Sequence, residues 1–115
     1  MGKAEARKLF MELRDMCRKP EIQQIGNMTF SKGDEYSRIY SGLEKTGNLD
    51  IDYADNLKGK DGYELAANPS NLTFKECCTV LTFLLRAERW SDGAFTEALM
   101  DGSVYKVLSR AVEVM

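Results

Sequence analysis

The sequence predicts an all-α fold, a single compact domain of about five helices with a central buried helix at residues 73–89. Apolar residues repeat at spacings of three and four in four separate segments, which is the period of one helix face. Thr73-Phe74-Lys75-Glu76 matches a capping box and directly precedes the longest apolar run. With 115 residues, 43% hydrophobic and 30% charged, the chain has the size and composition of one globular domain.

The first two helices are predicted over residues 3–18 and from Ser31 to Gly47. Pro20 ends the first helix, and the Ser31 hydroxyl is expected to cap the second. Gly42 costs this second helix about 1 kcal/mol relative to alanine, so it marks either a close approach of two helices or an early fray. Residues 21–30 have no helical period; residues 28–30 could be extended, but no partner strand is evident.

Residues 47–72 are predicted to be an irregular loop region, because Gly, Asn, Asp and Pro concentrate there. Such a long connection without structure is uncommon, so a short helix is expected over residues 53–57. After the central helix, further helices are predicted over residues 92–100 and from Ser103 onwards. The last of these has an apolar face formed by Val104, Val107, Leu108, Ala111 and Met115.

Charge and cysteine content limit the classes of function. The net charge of −2 argues against a general attraction to nucleic acid or anionic lipid, although residues 1–20 carry six basic against three acidic side chains. No signal peptide and no run long enough to span a bilayer is present. We therefore expect a cytoplasmic protein with no membrane partner. The adjacent Cys77 and Cys78 are expected to be reduced, buried and unreactive.

The candidate cluster lies at the end of the central helix, where polar residues replace the apolar run. On a helical wheel Glu88 falls within an otherwise apolar arc, and a buried carboxylate requires a partner. The backbone N–H groups of residues 91–94 are one option, and Arg89 or Arg110 is the other. The cluster either joins two helices or forms a recognition patch, and it comprises Arg86, Glu88, Arg89, Trp90, Asp92 and Gly93.

A second candidate surface is the acidic loop. Asp50, Asp52 and Asp55 have a spacing similar to that of a calcium loop, but the glycine and glutamate that such a loop needs are missing. Together with Tyr53 and Tyr63 they lie in the most irregular segment, where binding residues concentrate. If this loop meets Arg89 and Trp90, a mixed aromatic and charged patch results. The alternative is that Trp90 and the tyrosines close the core.

The C-terminal stretch LTFLLRAERWSDGAFTEALMDGSVYKVLSRA resembles the signature of an uncharacterised bacterial and phage family, a domain of unknown function. The shared pattern is R-x-E-R, an aromatic residue, two residues and Gly, followed by a second acidic residue and Gly. Its members here are Arg86, Glu88, Arg89, Trp90, Gly93, Asp101 and Gly102. The resemblance implies a fold and a bacterial or phage host, and it brings no established activity.

We expect a small non-catalytic interaction or regulatory protein that binds a macromolecular partner, most naturally a protein, and is encoded by a bacterium, phage or mobile element. The chain has no histidine and no recognisable cofactor or metal motif, so no cofactor is expected. One alternative is a nucleic-acid-associated protein that uses Arg86, Arg89 and the basic first helix. A second alternative is a carboxylate-dependent enzyme centred on Glu88.

Overall fold

The computed structural model describes residues 1–31 and 33–115, and these residues form a mostly helical, single compact domain. The prediction of a helical domain is confirmed. The predicted number of five helices is wrong, because the described residues contain seven helices and one β-hairpin. The elements are α1 (Lys3–Met16), β1 (Ile22–Ile25), β2 (Met28–Ser31), α2 (Glu35–Lys45), α3 (Tyr53–Asn56), α4 (Gly62–Ala67), α5 (Phe74–Ala87), α6 (Ala94–Met100) and α7 (Ser103–Val114).

The core is built around α5, which is the predicted central helix. Its capping box is formed as predicted: the Glu76 N–H donates to Thr73 Oγ1 at 3.1 Å, and the Thr73 N–H donates to Glu76 Oε1 at 2.9 Å. α7 packs along both α5 and α1. Thr79 and Thr82 of α5 are buried as well, although their side chains are polar. α5 is therefore covered on nearly all sides, which explains its apolar composition.

The β-hairpin was not expected from the sequence. β1 pairs antiparallel with β2 in the register Ile22 with Ser31 and Ile25 with Met28. Gly26 and Asn27 form the two-residue connection, and Gly26 has a φ of +62°. Primed hairpin turns require such a positive φ, so the dipeptide Gly-Asn was the signal that could have identified the strand partner.

The second helix begins later than predicted and ends where predicted. Ser31 belongs to β2, and the N-cap of α2 is Asp34; residue 32, between them, lies outside the described part of the chain. At the other end Gly47 has a φ of +73°, and the Asn48 N–H donates to the Leu43 carbonyl at 2.7 Å. This is a Schellman motif, which a glycine after the helix favours.

Gly42 marks a close approach of two helices. A Cβ atom at this position would lie 2.8 Å from Leu13 Cδ1 of α1. Of the two explanations for this glycine, the structure therefore supports helix packing rather than fraying.

The segment 47–72 is more regular than predicted. The expected short helix is present as α3, and α4 is an additional one. Asp61 caps α4, since its Oδ1 accepts a hydrogen bond from the Tyr63 N–H at 2.9 Å. The Asp61-Gly62 pair, which lies in the segment predicted to be an irregular loop, is thus a helix start. None of the helices in the described ranges is long and apolar enough to cross a membrane.

Candidate interaction surface around Trp90

Glu88 joins the end of α5 to the start of α6. Its Oε2 accepts a hydrogen bond from the Gly93 N–H at 2.8 Å, and its Oε1 accepts one from the Phe95 N–H at 2.9 Å. Of the two predicted partners, the backbone N–H groups of residues 91–94 are confirmed at Gly93, and Phe95 lies one residue beyond that range. Both carboxylate oxygens are used, so the side chain closes the turn between the two helices.

Arg110, one of the two arginines proposed as alternative partners of Glu88, makes other contacts, and Arg89, the second, forms no ion pair with Glu88 among the described residues. Arg110 Nε donates to the Leu72 carbonyl at 2.9 Å, and Arg110 Nη1 pairs with Glu113 at 2.6 Å. Arg86 lies over the ring of Tyr40, with its guanidinium carbon 5.6 Å from the ring centre. Such a cation–π contact directs Arg86 towards α2 rather than towards solvent.

Trp90 lies on the outside of this turn. It is 61% exposed, so the alternative in which it closes the core is wrong. Arg89 and Asp92 are exposed beside it. The turn itself is ordered by backbone bonds, because the Ser91 N–H donates to the Ala87 carbonyl at 3.0 Å and the Ala94 N–H donates to the Ser91 carbonyl at 3.1 Å.

A surface cavity adjoins this turn. It has a volume of about 350 Å³ and lies between the β-hairpin and α6. Asp92 and Gly93 line it from the turn, Thr29 lines it from β2, and Met100 lines it from α6. Met100 is 54% exposed. The exposed tryptophan turn is therefore continuous with a groove that contains a second exposed apolar side chain.

The acidic loop is divided between structural and exposed residues. The Asp50 carboxylate accepts hydrogen bonds from Thr79 Oγ1 at 2.6 Å, from Asn56 Nδ2 at 2.9 Å and from the Asp52 N–H at 3.0 Å. Burial would raise the pKa of Asp50, but these bonds and the charge of Lys75 outweigh it and hold the pKa below its usual value. Asp50 thus attaches the loop to α5, whereas Asp52 and Asp55 are exposed.

The two tyrosines of the loop pack on Phe83 of α5. The ring centres of Tyr63 and Phe83 are 4.9 Å apart in an edge-to-face arrangement, and those of Tyr53 and Phe83 are 6.3 Å apart. Tyr63 remains 45% exposed. It also lines a cavity of about 350 Å³ together with Ala94 and Glu97. Tyr63 is therefore the loop residue that the fold brings to α6.

Asp50 lies farther from the Trp90 turn. It binds Thr79 and Thr82 in the middle of α5. Thr79 precedes Arg89 by ten residues, which along a helix corresponds to about 15 Å. The acidic loop thus reaches α6 at Tyr63, beside Ala94 and Glu97, whereas Asp50 lies away from the Trp90 turn.

Comparison with known protein families identifies the family to which the chain belongs. A model of the family DUF6508, described as a family of unknown function, matches residues 5–115. The chain belongs to the DUF6508 family. The prediction of a domain of unknown function is confirmed by this match. No curated protein and no solved structure matches the chain.

The cysteines of this DUF6508 domain are buried and free. Cys17, Cys77 and Cys78 are each at most 3% exposed, and none of them forms a disulfide. Burial raises the pKa of each thiol to about 12. The predicted burial of Cys77 and Cys78 is therefore confirmed. Among the residues that the structure describes, no group of three Cys, Asp or Glu side chains is arranged to hold a metal ion.

Proposed function

We propose that this DUF6508 domain is a small non-catalytic interaction or regulatory protein that binds a protein partner through the turn between α5 and α6. We name the turn and the adjoining end of α6 the Trp90 surface and define it as Arg89, Trp90, Asp92 and Met100. The observation that carries the proposal is the 61% exposure of Trp90 on a turn that Glu88 holds closed.

The composition of the Trp90 surface supports a protein partner. Tryptophan and arginine are the residues most enriched at the energetic centres of protein interfaces. A large apolar ring left in water loses the free energy that its burial would contribute, and a partner can supply that burial. Because the Glu88 bonds already order the turn, little conformational entropy is lost on binding.

The contacts of the basic residues favour a protein partner over a nucleic acid. Arg86 is engaged with Tyr40, and Asp15 of α1 pairs with Arg14 of the same helix and with Arg18, which follows it. A phosphate-binding surface presents its cations to solvent in a continuous row. The bonds of Glu88 to the backbone likewise favour a structural role for this carboxylate over acid–base chemistry.

The proposal is tested by affinity capture from cells of the source organism with the immobilised domain. Trp90→Ala is compared with Ile51→Ala, which removes another exposed apolar side chain, 79% exposed, from the α2–α3 connection. We expect a specific protein to be retained by the parent and by Ile51→Ala, and to be reduced at least about tenfold by Trp90→Ala.

Salt and nuclease separate the two classes of partner. Binding through the Trp90 surface should depend weakly on salt, because it buries apolar area. Phosphate contacts would give a steep dependence on salt concentration and a signal that nuclease abolishes. A capture pattern that Trp90→Ala leaves unchanged would contradict the proposal.

We further propose a bacterial, phage or mobile-element origin and a cytoplasmic location. The R-x-E-R-[FW]-x-x-G signature at residues 86–93 supports the origin, and three free, buried thiols support a reducing compartment. The genomic neighbourhoods of DUF6508 members test the origin. Fractionation of the source cells tests the location.

A further inference from the structure

A separate cavity lies between the α3–α4 connection and the first half of α5. It has a volume of about 290 Å³. Its floor is apolar, because Leu57 and Val80 are buried and Leu65 is half-buried beneath it. None of the residues of the Trp90 surface lines it.

Most polar side chains around this cavity are committed to internal bonds. Asn56 Nδ2 and Thr79 Oγ1 both donate to the carboxylate of Asp50. Thr73 and Glu76 bind one another in the capping box of α5. These groups therefore shape the cavity but offer few unused donors to a ligand.

The three lysines of the cavity differ from these polar residues, because within the described part of the chain their ammonium groups are not used in internal hydrogen bonds or ion pairs. Lys58 and Lys60 line it from the α3–α4 connection, and Lys75 lines it from α5. Over residues 1–31 and 33–115, the ion pairs involve only arginines, so none of these three ammonium groups is within 4.0 Å of a carboxylate. Three lysines and one carboxylate, that of Glu76, thus line one cavity, which gives it a local charge of +2 in a chain whose net charge is −2. Like charges brought together raise the local potential and attract anions.

The backbone at Lys58 is a second observation. Its φ is +54°, the only positive φ of a residue other than glycine within the described ranges. The left-handed region disfavours any residue with a Cβ atom. Glycine would fit here without strain, so the lysine is held in a conformation that opposes stability, as is common for residues with a binding role.

From this geometry we propose that the cavity binds a small organic anion with at least two negative charges, either a phosphorylated or a polycarboxylated molecule. Its anionic groups contact Lys58, Lys60 and Lys75, and its apolar part lies on Leu57, Leu65 and Val80. A volume of about 290 Å³ is at the lower end of ligand cavities, which indicates a small metabolite rather than a polymer. This site is independent of the protein-binding function proposed above.

The test is titration of the isotope-labelled domain with pyrophosphate, citrate and ADP at low salt, with acetate as a singly charged control. We expect saturable amide shifts at residues 56–60 and 73–80 for at least one of the multivalent probes and none for acetate. The strongest probe distinguishes phosphate from carboxylate chemistry. If no multivalent probe produces saturable shifts in these segments at millimolar concentration, the proposal is overturned.

Lysine variants locate the site. Lys60→Gln and Lys75→Gln should each weaken the binding by about 3- to 10-fold, the effect of losing one partly exposed charge contact. Lys106→Gln removes an exposed lysine from α7 and should leave the affinity unchanged. Equal weakening by Lys106→Gln would show a general charge effect and overturn the proposal.

Lys58→Gly separates binding from stability. Glycine relieves the strained φ, so the melting temperature should rise, while loss of the ammonium group should weaken the binding. A merely structural role of Lys58 cannot give both changes. Unchanged affinity in Lys58→Gly would overturn the three-lysine site.

Discussion

At the scale of single residues, Glu88 illustrates how one side chain can satisfy two buried backbone donors. Glu88→Ala leaves the Gly93 and Phe95 N–H groups without their acceptor, so we expect a loss of about 2–3 kcal/mol in the free energy of unfolding. The value is below the roughly 3–5 kcal/mol of a fully buried pair because Glu88 is half-buried. Glu88→Gln should also destabilise, since only one of its two terminal atoms is an acceptor. Urea unfolding measures both, and the exposed Glu97→Ala is the control.

The cysteines carry the second prediction at this scale. With the pKa of each thiol raised to about 12 by burial, the reactive thiolate is scarce near neutral pH. We expect labelling of all three by a thiol reagent to be slow in native buffer and complete within minutes in denaturant. Rapid labelling of Cys77 or Cys78 in native buffer would contradict their burial and would indicate a redox role.

The helical wheel predicted the partner of Glu88 but not the role of Asp50. Glu88 could be predicted because its donors lie five and seven residues away in the chain. Asp50 is bound by Thr79, which is 29 residues distant. No local pattern indicates such a contact, so Asp50 was predicted to lie on an exposed surface.

At the scale of elements, the crossing of α1 and α2 depends on Gly42. Gly42→Ala gains about 1 kcal/mol in helix propensity. However, the new methyl group would lie 2.8 Å from Leu13 Cδ1, and Leu13 is 1% exposed. Overpacking costs about 1–3 kcal/mol, so we expect a net loss of stability in thermal unfolding. In a Leu13→Val background, which lacks Cδ1, the same change should be stabilising.

The attachment of the acidic loop to α5 gives a prediction on pH. The pKa of Asp50 is lowered from its usual 3.8, so its contribution to stability is present above that pH and is lost as the pH falls below it. Asp50→Asn should destabilise the domain at pH 7, and the difference from the parent should narrow as the pH is lowered below about 4. Thermal melts at several pH values measure this. If the difference in stability between Asp50→Asn and the parent is the same at every pH, the charge of Asp50 does not contribute to stability.

The elements differ in how well the sequence predicted them. α5 and the end of α2 were predicted because the capping box and Gly47 act over three to five residues. The hairpin was missed because its two-residue signal, Gly26-Asn27, is short and was not used, and α4 was missed because Asp61-Gly62 lies in the segment that was predicted to be a loop. Tertiary contacts decided these cases, such as the close packing of Gly62 against the Phe83 ring.

At the scale of the whole molecule, one core cluster includes residues from α1, α2, α4, α5, α6 and α7. We therefore expect the far-ultraviolet dichroism to be helical and to disappear in one cooperative transition. Trp90 should report little of this transition, because it is already 61% exposed in the native state. Its native emission should be red-shifted and efficiently quenched by acrylamide; a blue, unquenched emission would remove Trp90 from any binding surface.

The packing of α7 along α1 also has a consequence for synthesis of the chain. α1 ends at Met16, and α7 begins only at Ser103. Ribosomes add about 5–20 residues per second, so on the order of 5–20 s separate the emergence of the two helices. Phe10 of α1 also lacks its packing partner until Phe74 has been synthesised. In the folded domain the ring centres of Phe10 and Phe74 are 5.4 Å apart. The nascent chain therefore presents α1 covered only by α2, with the face that later packs on α7 open to chaperones, and slow translation before Ser103 prolongs this exposure.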